Sequence, residues 1–177
     1  YGLPFYMQYM AHWPEYFQVA VSPGGAIMGY IMGKAEGAGE LWHGHVTALT
    51  VAPEFRRLGL AANLMKNLEE ISEKKHCYFV DLFVRVSNKV ATDMYTKLGY
   101  GVYRTVIEYY SGDIDEDAYG KFTVFGYCMY RGAFLAEHSG CSHCFFKWDV
   151  LLCRNRSDCL ASLRPTFQAV PKWQINV

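Results

Sequence analysis

The sequence predicts an α/β domain, in which helices flank a mixed sheet, and three observations support this fold class. A chain of 177 residues is long enough to bury the core of one domain. Hydrophobic residues make up 51% of it and aromatic residues 16%, which favours a packed body over disorder. Strand-like and helix-like patterns alternate through the first two-thirds of the chain, which is typical of a sheet covered by helices.

The first third of the chain predicts one helix followed by three strands. Aromatic and apolar residues at helical spacing predict a helix over residues 1–13 that Pro14 ends, and we expect this helix to cover the core. Two strands, over residues 16–21 and 26–35, flank a Ser-Pro-Gly-Gly turn and therefore predict a hairpin. A third strand is predicted over residues 42–51.

From there on, helices and strands alternate. The pattern predicts a helix over residues 54–75, a strand over 77–86, a helix over 88–98 and a strand over 102–110. The core-facing side of the first of these helices is predicted from apolar residues at helical spacing: Leu58, Ala62, Met65, Leu68 and Ile71.

Charge and hydropathy argue against several classes of protein. The formal net charge is zero, which argues against binding nucleic acid or a membrane surface through bulk electrostatics. No apolar run approaches the ~20 residues that cross a bilayer, and no secretory leader is visible. Cys77 is the one cysteine among residues 1–119, so we expect a domain that works in a reducing compartment.

The connection between the strand that ends at Val51 and the next helix predicts a phosphate-binding loop. N–H groups at a helix start have no partner inside the helix and lie at the positive end of its dipole. Gly59 lets a ligand's phosphates approach the main chain, because no Cβ blocks them. The preceding strand can offer main-chain groups to the rest of the same ligand. The sequence therefore predicts a pyrophosphate cradle joined to a strand.

A family resemblance rests on this loop and on three longer blocks. The residues of Arg56-x-x-Gly59-x-Ala61 match the R/Q-x-x-G-x-G/A signature of the GCN5-related N-acetyltransferases (GNAT), which hold the acetyl-CoA pyrophosphate there. The chain also closely resembles the catalytic subunits of NatB-type N-terminal acetyltransferases in three blocks, over residues 42–65, 79–100 and 102–110.

The resemblance implies a domain organisation. It covers residues 1–119, which are expected to form a GNAT acetyltransferase domain lacking its first strand and most of its first helix. Family members carry a substrate-contacting glutamate just before the equivalent of Tyr1, so the chain is expected to be a fragment. Within this domain the acidic stretch 111–119 is predicted to be a loop, and residues 120–177 to be a divergent, weakly ordered tail.

The resemblance also implies acetyl-CoA as cosubstrate. The strand residues Leu49, Thr50 and Val51 can bond the pantetheine amides through their main chain, and the Val51 N–H is a candidate donor to the reaction's oxyanion. The alternative is an ordinary strand and helix start. In the family, the pyrophosphate is bound by the loop and helix start that correspond here to Arg56, Arg57, Leu58, Gly59, Leu60 and Ala61.

A second cofactor block resembles the pattern N-x-x-A-x-x-x-Y. Its Asn88 and Tyr95 lie seven residues apart, two helical turns, and therefore share one side of the helix, which Ser87 or Asn88 is expected to cap. The resemblance implies that Asn88 contacts the cofactor and that Tyr95 lies near the thioester sulfur as general acid. A phenol with a pKa of ~10 can donate to a developing thiolate. Alternatively, Tyr95 only packs.

By resemblance, two regions that contain aromatic residues are assigned to binding the peptide substrate. Tyr109 and Tyr110 can clamp the first residues of an extended peptide, although an aromatic pair more often packs within a sheet. Tyr1 and Gly2 are expected to border the peptide groove.

His45 and Thr47 complete the predicted peptide site. They share one face of their strand by alternation, and resemblance places them against the substrate's second residue. There they could hydrogen-bond a carboxylate or an amide, which would account for Met-Asp, Met-Glu, Met-Asn and Met-Gln termini. His45 could also relay the amine's proton, and a structural histidine is the alternative.

For partners, the resemblance implies a large helical-repeat NatB auxiliary subunit, the ribosome and nascent polypeptide N-termini, with no direct nucleic-acid or membrane contact. Exposed apolar residues of the first helices would then be the docking face. Two alternatives stay open: a GNAT enzyme for lysine or small amines, and a non-catalytic truncated isoform that binds the auxiliary subunit.

The tail carries a cysteine and histidine cluster that could suggest zinc. Cys141-x-x-Cys144 lies near His138 and His143, and thiolates and imidazoles are zinc ligands. The second cysteine pair is spaced too widely for a zinc module, and no strand–turn frame surrounds the first. We therefore predict no metal site.

Overall fold

The structure is a computed structural model that describes residues 1–112 and 114–125. Two compact units make up the chain, one spanning residues 1–82 and the other beginning at residue 83. The residues of the cysteine and histidine cluster lie outside the described range. No helix within the described residues is long and apolar enough to cross a membrane.

The first unit contains three strands, two helices and most of a fourth strand. Its strands are hydrogen-bonded in the order β1-β2-β3-β4, antiparallel except for the parallel pair β3 and β4. The element bounds are α1 (Leu3–His12), β1 (Phe17–Val21), β2 (Ile27–Glu36), β3 (His43–Val51), α2 (Leu60–Lys74) and β4 (Phe79–Arg85), the last crossing into the second unit.

The core of the first unit lies between α2 and the sheet. Leu64, Met65 and Leu68 of α2 are buried, and burying each such side chain contributes roughly 1.5–3 kcal/mol. A buried hydrogen bond of 3.1 Å joins the Tyr16 hydroxyl to Ser72 Oγ on the same helix. Gly44 of β3 lies directly against Ser72, and a Cβ there would collide with the serine hydroxyl. The close packing of helix on strand therefore requires a glycine at position 44.

The second unit combines one helix with three hydrogen-bonded strands. Its strands follow the order β4-β6-β5, with β5 and β6 antiparallel. Lys121 of β6 is buried, and its Nζ donates to the Thr92 carbonyl at 3.1 Å and to Thr96 Oγ1 at 2.6 Å. The element bounds are α3 (Lys89–Lys97), β5 (Gly101–Tyr110) and β6 (Glu116–Val124).

Most predicted elements are confirmed, but the start of the second helix was wrong. The helix predicted from Glu54 begins at Leu60, after a single 3₁₀ turn over Pro53–Phe55. Gly59 has a left-handed φ of 79° and interrupts any helix there. Leu58, which was predicted to face the core, is consequently 66% exposed.

The predicted loop over residues 111–119 was also wrong in part. Strand β6 begins at Glu116 and continues to Val124, so position 119, the predicted end of the domain, falls inside a strand. Glu116 and Asp117 made this stretch resemble a loop, because acidic residues are depleted in strands. Their carboxylates instead accept hydrogen bonds from the backbone N–H groups of Ser87 and Glu108.

Candidate active site

The connection between β3 and α2 has an unusual backbone. Arg57 and Gly59 both have left-handed φ values, 65° and 79°, and Gly59 is the residue that precedes the first helical turn. The first N–H groups of a helix have no partner within the helix, and at this helix end no side chain caps them. A Cβ placed on Gly59 would meet no atom within 4 Å. The backbone N–H groups at this helix end can therefore be approached by an anion, as the sequence predicts.

The neighbouring edge of β3 offers further main-chain groups. Ala52 N donates to the Met28 carbonyl at 2.9 Å, and because hydrogen-bonded pairs alternate in antiparallel strands, Thr50 is the next residue that bonds β2. Leu49 and Val51 therefore direct their backbone groups to the opposite edge.

That edge is not fully covered within the described residues, since β3 pairs with β4 only over positions 43–46. Arg56 Nε donates to the Val51 carbonyl at 3.1 Å, which leaves the Val51 N–H as the donor available to a ligand. The predicted roles of Leu49 and Val51 fit this geometry. Main-chain bonding of pantetheine by Thr50 does not fit, because its N–H and C=O face β2.

His45 lies in a side-chain cluster that is centred on a buried carboxylate. Its Nδ1 is 2.7 Å from Asp81 Oδ1, which belongs to the directly paired position on β4. The same oxygen is 3.5 Å from His43 Nε2, and His43 stacks on the Phe79 ring with 4.7 Å between centroids. Sequence reasoning did not identify Asp81 as a site residue. The available signal was an acidic residue that interrupts an otherwise apolar strand.

Glu36, His43 and His45 also place potential ligand atoms within 4.8 Å of one another. Imidazoles and carboxylates at such distances pair directly without a metal ion. His43 Nδ1 is 2.6 Å from the Leu41 carbonyl, and Glu36 forms an ion pair of 2.7 Å with Lys34. We assign no metal here, and the absence of a metal site stays a prediction.

Thr47 is bound to the first helix. Its Oγ1 donates to the Tyr9 hydroxyl at 3.1 Å, so Tyr9 is a second site residue that sequence reasoning missed. The Tyr9 ring contacts the Phe5 ring, which in turn stacks on Tyr1 at 4.4 Å between centroids. Tyr1 is 55% exposed and precedes the helix together with Gly2. Ring contacts and one hydrogen bond thus connect the predicted groove residues Tyr1 and Thr47 within the first unit.

In the second unit, Asn88 and Tyr95 lie on α3. Asn88 Oδ1 accepts the Ala91 N–H at 3.1 Å, so Asn88 caps the helix. The atom of its side chain that could contact a cofactor is then the amide nitrogen. Tyr95 is buried, and this burial raises the pKa of its hydroxyl to about 12. The phenol therefore keeps its proton at neutral pH and can act as an acid.

Tyr109 and Tyr110 follow an irregularity in β5. Glu108 has a left-handed φ of 51°, and the β5–β6 register shifts between Val106 and Tyr110. The Tyr110 hydroxyl donates to the Phe83 carbonyl at 3.1 Å, while the Tyr109 ring stacks on Phe83 and is 39% exposed. The Tyr110 ring already contacts the Arg85 guanidinium at 4.2 Å, so Tyr110 can offer a substrate its hydroxyl oxygen and Tyr109 its exposed edge.

Comparison with known proteins gives a consistent picture. The profile of the acetyltransferase (GNAT) family matches residues 2–100. The chain is 61% identical over 116 residues, 65% of this chain and 67% of the relative, to the N-terminal acetyltransferase B complex catalytic subunit NAA20 of Arabidopsis thaliana. It is 64% identical over 116 residues, with the same coverage, to N-alpha-acetyltransferase 20 of Dictyostelium discoideum.

Solved structures agree with this result. The crystal structure of Chaetomium thermophilum Naa20 in complex with a bisubstrate analogue superimposes with a TM-score of 0.69 at 42% identity, covering 74% of this chain and 77% of that one. A NatB acetyltransferase complex bound to CoA and MES superimposes with a TM-score of 0.65 at 40% identity, covering 71% and 83%.

Proposed function

This chain belongs to the acetyltransferase (GNAT) family, and we propose that it transfers the acetyl group of acetyl-CoA to protein N-termini that begin Met-Asp, Met-Glu, Met-Asn or Met-Gln. The relatives named as N-terminal acetyltransferase catalytic subunits support the reaction. The structures bound to CoA and to a bisubstrate analogue support the cosubstrate. The polar side chains of His45 and Thr47 on β3 support the proposed choice of the substrate's second residue.

One observation carries the cosubstrate assignment: an open glycine at the start of α2 adjoins a strand edge with outward-facing N–H groups. The phosphates of acetyl-CoA would bind the main chain of residues 57–61, where Gly59 permits close approach. Leu49 and Val51 would bond the amides of the pantetheine arm, as an added strand would. The two features are separated by the 3₁₀ turn at residues 53–55 and follow one another along the chain, so one extended ligand can contact both.

The reaction needs a neutral amine, an oxyanion donor and a proton for the leaving thiolate. The α-amine attacks the thioester carbonyl, a C–N bond forms, and the carbonyl oxygen takes up negative charge. The Val51 N–H stabilises that charge. The C–S bond then breaks, Tyr95 donates its proton to the thiolate sulfur, and water returns a proton to the phenolate. The amine's own proton leaves through water, with His45 as the candidate relay.

The peptide side combines polar and aromatic groups. His45 and Thr47 would hydrogen-bond the second side chain, which selects carboxylates and amides over apolar groups, because a polar group buried without a partner costs free energy. Tyr109 and Tyr110 would hold the peptide backbone. Tyr1 and Gly2 would border the groove at the start of α1, where ring contacts lead from Tyr1 through Phe5 to Tyr9, and the Tyr9 hydroxyl accepts a hydrogen bond from Thr47 of β3.

A partner subunit is part of the proposal. Related catalytic subunits are named as members of an acetyltransferase complex, and an auxiliary subunit is therefore expected here, together with work on nascent chains at the ribosome in the cytoplasm. Three exposed apolar residues, Leu3, Met7 and Met10, lie at helical spacing along one side of α1. This surface, the α1 apolar face, is the proposed docking site.

Regiochemistry tests the proposed reaction. Two peptides of equal composition are offered with acetyl-CoA and the auxiliary subunit: one has a free Met-Asp terminus and the other a blocked terminus with a free internal lysine. The proposal expects acetylation of the α-amine alone, read by fragment mass spectrometry. Acetylation mainly on lysine would instead establish the lysine-directed alternative.

A further inference from the structure

Asp81 is a carboxylate in an otherwise apolar part of the sheet. Its neighbours on β4, Val80 and Leu82, are at most 1% exposed, and its own side chain is 7% exposed. Removing a carboxylate from water costs several kcal/mol unless polar partners compensate it. Asp81 Oδ1 lies 2.7 Å from His45 Nδ1, closer than the 3.5 Å that separates it from His43 Nε2. The buried acid and the histidine therefore form one unit.

This contact fixes the chemistry of the histidine ring. With Asp81 ionised, its carboxylate can only accept hydrogen bonds, and His45 Nδ1 then carries the proton and donates it to Asp81 Oδ1. Nε2 lies on the far side of the ring from Nδ1 and is therefore the nitrogen that can face another group. In the neutral ring Nε2 is an acceptor, whereas in the doubly protonated ring it is a donor.

We propose that Asp81 is a positioning residue of the peptide site, which holds His45 so that Nε2 faces the substrate's second side chain. This inference rests on the proposed function. The neutral ring accepts a hydrogen bond from the side-chain amide of Met-Asn or Met-Gln. The protonated ring donates to the carboxylate of Met-Asp or Met-Glu, with its charge balanced by Asp81. One arrangement thereby accommodates both acidic and amide residues, and Thr47 contributes a hydroxyl that serves either.

The surrounding charges do not replace Asp81. On β2, Lys34 is paired in register with His45 and forms its ion pair with Glu36. On β3 itself, His43 shares the Asp81 oxygen at 3.5 Å, and on α1 Tyr9 is bonded to Thr47. The Asp81 carboxylate lies 2.7 Å from His45 Nδ1, whereas Glu36 and His45 place their ligand atoms only within 4.8 Å of one another.

The test is a substitution that keeps an acceptor but removes the charge. Asp81→Asn can still accept the Nδ1 proton through its amide oxygen, so the orientation for an amide substrate survives. The protonated ring loses its counter-charge. Expected is a drop of about tenfold or more in kcat/KM for a Met-Asp peptide, with Met-Asn changed less than about threefold and acetyl-CoA affinity unchanged. Glu70→Gln makes the same chemical change at an exposed residue of α2, where the carboxylate pairs with Lys66, and should leave both peptides unaffected.

A second measurement needs no variant and holds if Asp81→Asn fails to fold. For the unmodified chain, assayed from about pH 5.5 to about pH 8.5, the ratio of kcat/KM for Met-Asp to that for Met-Asn should fall as the pH rises, because a ring that has lost its second proton no longer donates to the Met-Asp carboxylate. The substrate's own carboxylate stays ionised throughout this range, so it contributes no change.

The outcomes separate this inference from the proposed function. Equal losses for Met-Asp and Met-Asn in Asp81→Asn, no loss for either, or a pH-independent ratio would each overturn the positioning role. In all three cases the unmodified chain would still prefer both peptides over a Met-Leu control. Loss of that preference in the unmodified chain would overturn the proposed function itself.

Discussion

Replacing Gly59 by alanine separates a binding role of this glycine from a purely structural one. Its φ of 79° is left-handed, and a residue with a Cβ pays about 1–2 kcal/mol to adopt that conformation. The added Cβ would meet no protein atom within 4 Å, so no steric cost adds to this strain. The Cβ would instead occupy the space through which a phosphate reaches the main chain.

The loss of affinity can be estimated from the contact that is blocked. A hydrogen bond to a charged group contributes about 1.5–3 kcal/mol, and each 1.4 kcal/mol is tenfold in affinity. Gly59→Ala should therefore raise the acetyl-CoA Kd by about tenfold to one hundredfold. Gly59→Trp should obstruct the loop more completely. Isothermal titration calorimetry with acetyl-CoA measures the change.

Gly25 provides a matched control within the same unit. Its φ is 84°, it also has no atom within 4 Å of a built Cβ, and it lies in the turn between β1 and β2. Gly25→Ala should therefore lower the melting temperature as much as Gly59→Ala does, while leaving the acetyl-CoA Kd unchanged. Equal Kd values for the two variants would refute the phosphate cradle.

Three further predictions concern the acid, the packing and the partner. Tyr95→Phe should lower turnover by about tenfold or more without weakening acetyl-CoA binding, and an unchanged rate would remove Tyr95 as the acid. Because the pKa of Tyr95 is about 12, its ionisation should produce no alkaline fall in kcat below about pH 10, and a fall that Tyr95→Phe abolishes would contradict this role. Gly44→Ala should lower the free energy of unfolding by about 1–3 kcal/mol through collision with Ser72, and the additional change Ser72→Ala should recover part of it in urea titrations. Met7→Glu on the α1 apolar face should reduce co-purification of the auxiliary subunit, whereas Gln8→Glu on the same helix should not, and equal retention by both variants would argue against that docking face.

Local patterns in the sequence predicted most of the elements. The strand, turn and glycine from Val51 to Ala61 are contiguous, so their spacing led to the predicted phosphate cradle, which stays a prediction. The cap of α3 is local too, and Asn88 makes it as expected. Such features can be predicted from neighbouring residues alone, because they do not depend on how distant strands pair.

Long-range contacts were the part that the sequence could not provide. Asp81 lies 36 residues from His45, and Tyr9 lies 38 residues from Thr47, so each partnership depends on strand order and register. In the sequence Asp81 only interrupted an apolar strand, and Tyr9 belonged to a helix expected to cover the core. Thr50 directs its backbone groups to β2, whereas Leu49 and Val51 direct theirs to the opposite edge, and this difference also depends on the pairing with β2. The beginning of β6 was missed because its acidic residues bond distant backbone groups.

The most direct test of the proposed function is a comparison of second residues. The full chain, with the auxiliary subunit and acetyl-CoA, is assayed on peptides that differ only at position two: Met-Asp, Met-Asn and Met-Leu. We expect kcat/KM for the first two to exceed that for Met-Leu by about tenfold or more, because an apolar second side chain cannot hydrogen-bond His45 or Thr47. Equal turnover of all three peptides, or preference for Met-Leu, would contradict the proposed specificity.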